Sequence, residues 1–461
     1  MSSQSSTSAL RAGFGKSDIT PRVGVQLAGF GPYLNRHSTG VHAPLVARAA
    51  AFSSVSETCL ILALDLCGVS RQLLNRIRSI VAKRTDVPVD RIMVACTHTH
   101  SGPSTVGHIG WGHPDDLYIE TLPSRILRAA EAAIEDMGEV RVGSASPPCE
   151  GIAINRDYDT AYDRSFSVDH FLADSWRPAK PEKTDTTCDV ITFHDGARLK
   201  GFISSFSCHP VVCCEENTLI HGDFVGQATS QVEKQHSGSI GIFIPGALGD
   251  INPGISHRPA DESMRALDVI STRYAQAVET GISSSRPLSS PGLSVASRHT
   301  RFPRVEWTRE EVDERISVLE KGLHAPDLND DPLQGDDPLE RTGMQMVRLA
   351  GLRKILDRMD RGDDLNPSVE LQGIRLGSVR LLGSPFEVFQ QTKNEIRASA
   401  PEGLNLVLSL VNGTEGYAPD PTIFERQGYA AEFVPLMKGD LPHQSLHDLL
   451  VGELTQLAAE L

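Results

Sequence analysis

The sequence predicts an α/β protein in which a layered, mixed β-sheet is flanked by helices. From residue 12 to about residue 290, short apolar runs alternate with longer segments whose apolar residues recur at helical spacing. A strand followed by a helix, repeated along the chain, is typical of layered α/β domains. The 461-residue length and the 39% share of hydrophobic residues allow a sizeable core.

Strands are predicted where apolar runs are short, and helices where the apolar period lengthens. Buried strands are expected at 49–52, 59–64, 92–96 and 240–244. Amphipathic helices are expected at 71–84, 118–137 and 263–282. Strands then resume at 369–376, 379–382 and 406–411, and a last helix is expected at 446–461.

Residues 305–365 differ from the rest and predict a helical hairpin inserted on or beside the sheet. Two charged amphipathic helices are expected at 307–323 and 339–359, joined by an acidic linker with prolines at 325–332. No internal repeat or low-complexity segment divides the chain. We therefore expect a single catalytic domain over residues 1–461, with 305–365 as its helical insertion.

The charge and the apolar pattern exclude several classes of partner. A net charge of −15 disfavours binding to nucleic acid or to an anionic membrane, and no run of about 20 apolar residues could span a bilayer. The first eight residues are polar and do not resemble an export signal, so we expect a cytoplasmic protein. The eight cysteines are dispersed without a Cys-x-x-Cys pair, which predicts buried, reduced thiols. A small-molecule substrate is expected, and homo-oligomerisation is left open.

Two histidines directly follow a predicted strand. His98 and His100 lie in the run THTHSGP at 97–103, and we expect both side chains on one face at the carboxyl end of that strand. Ligands of open α/β sheets bind at this edge. Both imidazoles can bind a divalent metal, or one can bind it while the other donates a hydrogen bond to a substrate.

Two further strand ends carry polar groups of the same kind. His209 follows a predicted strand, and His221 and Asp223 come shortly after it, where they can orient a ligand histidine or hold a second ion. The glycine-rich run at 245–254 contributes Asp250 and Asn252. Three strand ends with polar groups favour a metal-dependent active site.

The motifs together resemble the neutral/alkaline, non-lysosomal ceramidase family over most of the chain. The run GFGKSDITP at 13–21 is similar to the opening strand of that family, and 97–103 is similar to its metal-binding motif. The segments 208–210 and 222–223 resemble its second histidine segment, and GSPFE at 383–387 resembles its Pro-Gly-Glu-Phe-Thr segment. Tyr417 and Tyr429 have the spacing of its tyrosine pair, although Ala430 stands where the family has glutamate.

The resemblance implies roles for particular residues. It implies one zinc ion per chain, bound by His98, His209, Glu387 and Tyr417. It also implies that His100 and Tyr429 contact the reacting carbonyl or its oxyanion, and that Arg156 lines the site. Such a nitrogen- and oxygen-rich shell with an open position suits a metal that polarises a carbonyl and activates water.

Two departures from the family pattern concern the chemistry. Asn252 stands at the position of the family's essential serine; an amide cannot act as a nucleophile, but it can donate a hydrogen bond to an oxyanion or bind a substrate hydroxyl. The chain also ends soon after the tyrosine segment, so we expect no C-terminal β-sandwich domain. An amidase-like enzyme of this family other than a true ceramidase is therefore expected.

The leading hypothesis is a zinc hydrolase that uses metal-activated water on an amide (N-acyl) or ester bond. Asp250 or a metal-bound carboxylate would then manage the proton, and Asn252 would replace the serine. The alternative is a metal-assisted lyase or glycoside-cleaving enzyme acting on a carbohydrate or sugar acid. A third reading is a metal-stabilised binding protein without turnover.

Overall fold

The computed structural model describes residues 10–159, 167–289, 292–323 and 338–461, with no account of the side chains of 338–341. The strands are β1 (Arg11–Asp18), β2 (Gly40–Val41), β3 (Val46–Ser53), β4 (Thr58–Leu64), β5 (Ile92–Cys96), β6 (Gly138–Glu139), β7 (Arg141–Ala145), β8 (Ala153–Asn155), β9 (Asp189–Asp195), β10 (Arg198–Phe206), β11 (Leu219–Ile220), β12 (Ile240–Pro245), β13 (Ile251–Pro253), β14 (Arg286–Pro287), β15 (Leu293–Thr300), β16 (Val369–Leu376), β17 (Val379–Gly383), β18 (Phe386–Val388), β19 (Leu404–Leu408) and β20 (Gly416–Ala418). The α-helices are α1 (Arg71–Thr85), α2 (Asp116–Glu135), α3 (Val168–Leu172), α4 (Asp223–Gln235), α5 (Ala260–Ser284), α6 (Arg309–Leu323), α7 (Pro338–Arg361), α8 (Gln390–Ser399), α9 (Pro421–Glu425), α10 (Val434–Lys438) and α11 (His447–Glu460). Short 3-10 turns lie at Val89–Arg91 and Pro181–Lys183, and a π-helical turn lies at Tyr429–Phe433.

Local sequence signals set the bounds of the long helices. The Ser70 side chain accepts a hydrogen bond from the Leu73 N–H and begins α1, which ends at Asp86 in a left-handed conformation with φ 57°. Asp115 caps α2 in the same way by accepting from the Tyr118 N–H. These caps satisfy backbone donors that have no partner inside the helix.

Two five-stranded mixed sheets form the centre of the fold. The first has the order β5-β4-β3-β1-β6 and the second has the order β12-β10-β9-β7-β14. Within them, β4 pairs parallel with β5, and β10 pairs parallel with β12. β5 and β12 are therefore edge strands that each run parallel to their neighbour. A loop follows the carboxyl end of each.

The two sheets pack face to face, and helices cover their outer faces. Phe14 and Phe52 of the first sheet contact Phe193 of the second, with ring centroids 5.3 and 5.2 Å apart. Helices α1 and α2 cover the first sheet, and α4 and α5 cover the second. Because β3 and β4 are buried on both faces, their residues are apolar without alternation, which explains the continuous apolar runs of the sequence.

A third sheet completes the core and closes the site. Its order is β15-β16-β17-β19, and α8 and α11 pack on it. The segment after β19 bonds to both of the other sheets: Leu410 accepts from the Cys96 N–H at 3.3 Å, and the Ser409 N–H donates to the Pro245 oxygen at 3.0 Å. The carboxyl ends of β5, β12 and β19 therefore meet in one place.

The α/β class and most predicted elements are confirmed. The predicted strand 406–411 is wrong at its end, because Leu410 and Asn412 have positive φ angles of 57° and 59° and the strand stops at Leu408. The two helices predicted within 305–365 are α6 and α7, which pack on each other, whereas most of the predicted linker lies outside the described residues. All eight cysteines are buried and free, as expected.

Candidate metal centre

The two histidines of the first motif converge beyond the end of β5. The His98 and His100 Nε2 atoms lie 3.2 Å apart. The prediction that strand alternation would place them on one face is wrong, because the strand ends at Cys96 and His98 has a left-handed backbone with φ 69°. The His98 N–H donates a hydrogen bond to the Leu66 oxygen at 2.9 Å, and this bond stabilises the unfavourable conformation.

Backbone carbonyls orient two of the imidazoles. His98 Nδ1 lies 2.6 Å from the Cys67 oxygen, and His209 Nδ1 lies 3.2 Å from the Ile251 oxygen. Burial opposes a charge on His98, but Cys67 and Glu387 raise the pKa of its imidazole well above the usual range. A carbonyl only accepts, so each Nδ1 carries a proton and each Nε2 points at the Glu387 carboxylate. This is the arrangement that fixes histidines as metal ligands.

Glu387 brings a carboxylate to the same point from the third sheet's side of the molecule. Its Oε2 lies 3.0 Å from His209 Nε2 and 3.5 Å from His98 Nε2, and the side chain is buried. Burial opposes ionisation, but the two imidazoles hold the pKa of Glu387 well below its usual range. Burial lowers the pKa of His209 to about 4, so that imidazole is neutral, the form that binds metals.

The ligand atoms of His98, His209 and Glu387 all lie within 4.8 Å of one another. Two imidazole nitrogens and a carboxylate oxygen form a donor set typical of a catalytic zinc site. A second grouping at this point joins His98 to Cys67 and His100.

The two predicted tyrosines lie against this cluster. Tyr417 stands beside Glu387 in the parallel pairing of β18 and β20, and its ring centroid is 6.3 Å from that of His209. Tyr429 begins the π-helical turn, and its centroid is 6.0 Å from that of Tyr417. Arg156 lies over the Tyr417 ring at 5.2 Å, so the predicted arginine also reaches the site.

A small cavity of about 50 Å³ adjoins the cluster. His98, His100, Glu387, Tyr417 and Tyr429 all contribute to its wall, as do the loop residues predicted to shape a pocket, His108 and Trp111. Burial lowers the pKa of His100 well below its usual range, which keeps this imidazole neutral. Among the described residues, His100 Nδ1 has no hydrogen-bond partner, and its Nε2 lies 3.2 Å from His98 Nε2.

Asp250 and Asn252 lie behind the cluster instead of lining the cavity. The Asp250 carboxylate accepts from the Asn155 amide at 2.6 Å and from the Gln390 N–H at 2.8 Å. Burial raises the pKa of Asp250 to about 7. Asn252 is buried in β13, next to the residue whose carbonyl orients His209.

His221 and Asp223 organise the loop that carries His209. The Asp223 carboxylate accepts from the N–H groups of Val212 and Cys213, and His221 Nδ1 accepts from the Asp223 N–H at 3.1 Å. With Cys213 they form a separate buried cluster of ligand-type atoms. These bonds reach the backbone of the loop and not the His209 ring, so the orienting role and the second ion remain predictions.

Two buried residues that hold the site were missed in the sequence. The Arg36 guanidinium donates to the His100 oxygen at 3.2 Å and to the Asn217 oxygen at 2.9 Å, which ties the two histidine segments together. Cys67 orients His98 through its carbonyl. Cys67 follows β4 as His98 follows β5, so the strand-end rule could have found it, whereas nothing local marks Arg36.

Comparison with known proteins decides the family. The family described as "Neutral/alkaline non-lysosomal ceramidase, N-terminal" matches residues 10–272, more than half of the chain. The chain belongs to the neutral/alkaline ceramidase family. Membership supports a hydrolase, as the sequence predicted. The matched segment includes His98, His100 and His209 but ends before Glu387. The place of Glu387 in the cluster is therefore supported by the structure and not by the family match.

Solved ceramidase structures share this fold. The neutral ceramidase from Pseudomonas aeruginosa superposes with a TM-score of 0.71 at 18% identity, covering 98% of this chain and 75% of that one. A structure described as a ceramidase complexed with C2 gives a TM-score of 0.73 at 17% identity, with the same coverage. In the described part of this ceramidase-family chain, no helix has the length and apolar character needed to cross a membrane.

Proposed function

We propose that this ceramidase-family chain is a zinc-dependent hydrolase of amide bonds, with the ion held by His98, His209, Glu387 and Tyr417. The observation that carries the proposal is the convergence of two carbonyl-anchored imidazoles on a buried carboxylate. Surface groups of ligand type are common, whereas two carbonyl-anchored imidazoles that meet a buried carboxylate are typical of a metal site.

Bound zinc would supply a Lewis acid that polarises the carbonyl and lowers the pKa of a water molecule. Around it, neutral His100 can donate one N–H to the oxygen of the reacting carbonyl. The Tyr429 hydroxyl is a second donor at the same cavity. Arg156, over the Tyr417 ring, adds a positive charge that favours a developing oxyanion.

Transfer of the proton during hydrolysis is better assigned to Glu387 than to Asp250. Glu387 lines the cavity, whereas both Asp250 oxygens already accept hydrogen bonds from the scaffold. The Asp250 backbone carbonyl also accepts a hydrogen bond from the Arg156 backbone N–H at 2.9 Å, so Asp250 positions the arginine. Asn252 stands at the position of the family's serine, but it is buried in β13 behind the cluster, so we assign it no contact with the substrate.

Metal content and turnover of the same preparations test the proposal. We expect about one zinc per chain in the wild type, lost together with amide hydrolysis in His98→Ala and Glu387→Ala. His236→Ala is the matched control, because partly exposed His236 also pairs with a carboxylate but belongs to none of the clusters of ligand-type atoms among the described residues. It should retain both properties.

The substrate screen contains N-acyl amides, esters and sugar acids. Hydrolysis of an amide supports the proposal, whereas a product with a new ultraviolet-absorbing double bond would identify the lyase alternative. Full activity without either ligand side chain contradicts the proposed mechanism. Bound metal without turnover of any substrate would indicate a binding protein.

A further inference from the structure

A second, much larger cavity lies beside the metal centre. Its volume is about 740 Å³, against about 50 Å³ for the cavity at the cluster. Val106, His108 and Thr414 line both cavities. The two spaces therefore border the same three residues, and the larger one lies next to the metal centre.

The larger cavity is strongly basic although the chain as a whole is acidic. Residues 71, 74, 75 and 78 line it from one face of α1, and Lys354 and Arg358 line it from one face of α7. The charged side chains in its wall are six bases and three acids: Arg71, Arg78, Arg304, Lys354, Arg358, Lys438, Glu370, Glu415 and Asp440. An excess of three positive charges in a protein of net charge −15 is a local feature that a ligand can neutralise.

The acids in the wall do not satisfy the bases. Glu370 forms an ion pair with Arg78 at 2.5 Å and neutralises its charge. Glu415 and Asp440, however, are shared among the four bases Arg71, Arg304, Arg358 and Lys438. Two carboxylates among four cations leave positive charge and donors in the wall.

Two bases keep unused hydrogen-bonding capacity. Lys354 Nζ donates to the Lys438 carbonyl at 2.8 Å, and no carboxylate of the described residues lies within 4 Å of it. Arg304 is only 7% exposed, its Nε has no partner in the described chain, and its nearest carboxylates are 3.7 and 3.9 Å away. The Nε atom itself is buried away from the cavity, but the guanidinium charge is only loosely paired with these carboxylates, and an oxyanion in the cavity would offset it.

We propose that the basic cavity binds an oxyanion group of the substrate, a carboxylate or a phosphate, while the scissile amide lies at the metal cluster. The substrate would then be an acidic N-acyl compound instead of a neutral lipid amide. Guanidinium and ammonium groups around a space of this size suit such an oxyanion. The substrate assignment rests on the proposed function, whereas binding of the anion does not.

Calorimetric titration of the metal-loaded full chain with inorganic phosphate, and separately with succinate, tests the anion site. We expect one-site binding that weakens about tenfold in Lys354→Gln and is unchanged in Lys321→Gln, an exposed lysine of α6 outside the cavity. Binding should persist in His98→Ala, which separates this site from the metal. The tighter of the two anions identifies the preferred oxyanion.

Three results would overturn the proposed anion site. They are no binding of either anion, equal effects of Lys354→Gln and Lys321→Gln, or loss of binding in His98→Ala. The last result would mean that the anion binds at the metal centre.

A kinetic comparison tests the substrate assignment. An N-acetyl amino acid with a free carboxylate and its methylamide form the matched pair, and we expect kcat/KM to be about tenfold or more higher for the acid. Equal values for the two overturn the substrate assignment, whether or not an anion binds. Anion binding with the expected variant pattern, but without hydrolysis of either amide, would mean that the proposed function alone has failed.

Discussion

Gly29 packs directly against the His100 imidazole, so a substitution at Gly29 can displace this one side chain. A Cβ atom at this glycine would lie 2.3 Å from His100 Cγ, 2.5 Å from Nδ1 and 2.6 Å from Cβ. Ordinary contact begins at 3.4 Å. Gly29→Ala should therefore displace the imidazole by about 1 Å, enough to lose about 100-fold in rate if His100 contacts the reacting group.

The effect on stability can be separated from the effect on activity. Gly29 has φ 105°, and Gly24 has φ 99°, but a Cβ at Gly24 meets nothing closer than Arg22 Nη1 at 3.7 Å. Alanine in this backbone conformation costs about 1–2 kcal/mol at either position. Gly24→Ala is thus the matched control for backbone strain without displacement of the histidine.

The assay measures kcat/KM on an N-acyl substrate, zinc content and the free energy of unfolding for both variants. We expect Gly29→Ala to lose about 1–3 kcal/mol more stability than Gly24→Ala, because its clash adds to the shared backbone strain. Both variants should retain zinc, because His100 is not a proposed ligand. Only Gly29→Ala should lose activity. Equal activities of the two variants would refute a role for His100 in the reaction, and loss of zinc in Gly29→Ala would make His100 a ligand.

Three further perturbations test individual groups. Asp250, whose pKa rises from 3.8 to about 7 on burial, contributes stability that is complete below pH 3.8 and is lost as the pH rises through 7. Urea unfolding across this range should show that Asp250→Asn removes a decline of about 4 kcal/mol; an unchanged slope would contradict the assigned burial effect. Arg48→Met leaves the buried Asp65 carboxylate without its ion pair at 3.1 Å and should cost about 3–5 kcal/mol, against less than about 1 kcal/mol for Arg22→Met at the surface. Equal costs in chemical denaturation would argue against this network. Tyr429→Phe keeps the ring and should lower kcat about 10²-fold with zinc retained, whereas wild-type turnover would exclude its hydroxyl as an oxyanion donor.

Local sequence patterns were sufficient for most secondary structure and for the kinds of side chain at the site. Continuous apolar runs predicted β4 and β5, and helical spacing predicted α1 and α2, because both periods follow from backbone geometry. The strand-end rule identified His98 and His209 from residue order alone. The limit of the 406–411 strand was missed, because Asn412 favours a left-handed conformation by its residue type but nothing in the residue type of Leu410 does.

The resemblance implied that Glu387 binds the metal, but the sequence left open whether Asp250 or a metal-bound carboxylate manages the proton. Both are acids near the ends of strands, and only their contacts distinguish them. Glu387 meets two imidazoles, whereas Asp250 bonds to an amide and a backbone N–H. The difference arises from the packing of β18 against β20 and of β13 against β8, which brings together segments far apart in the chain.

By itself, the sequence determined the α/β class, the histidine motifs and the family resemblance, because each depends on residues close together in the chain. The resemblance implied that His98 and Glu387, 289 positions apart by their numbers, share one site, but only the tertiary structure brings their side chains to within 3.5 Å. Only the tertiary structure also forms the basic cavity, whose wall combines α1, α7 and the loop after β5. Charge excess in a cavity depends on which distant side chains face one another, and that follows from the packing of three sheets and their helices rather than from any local pattern.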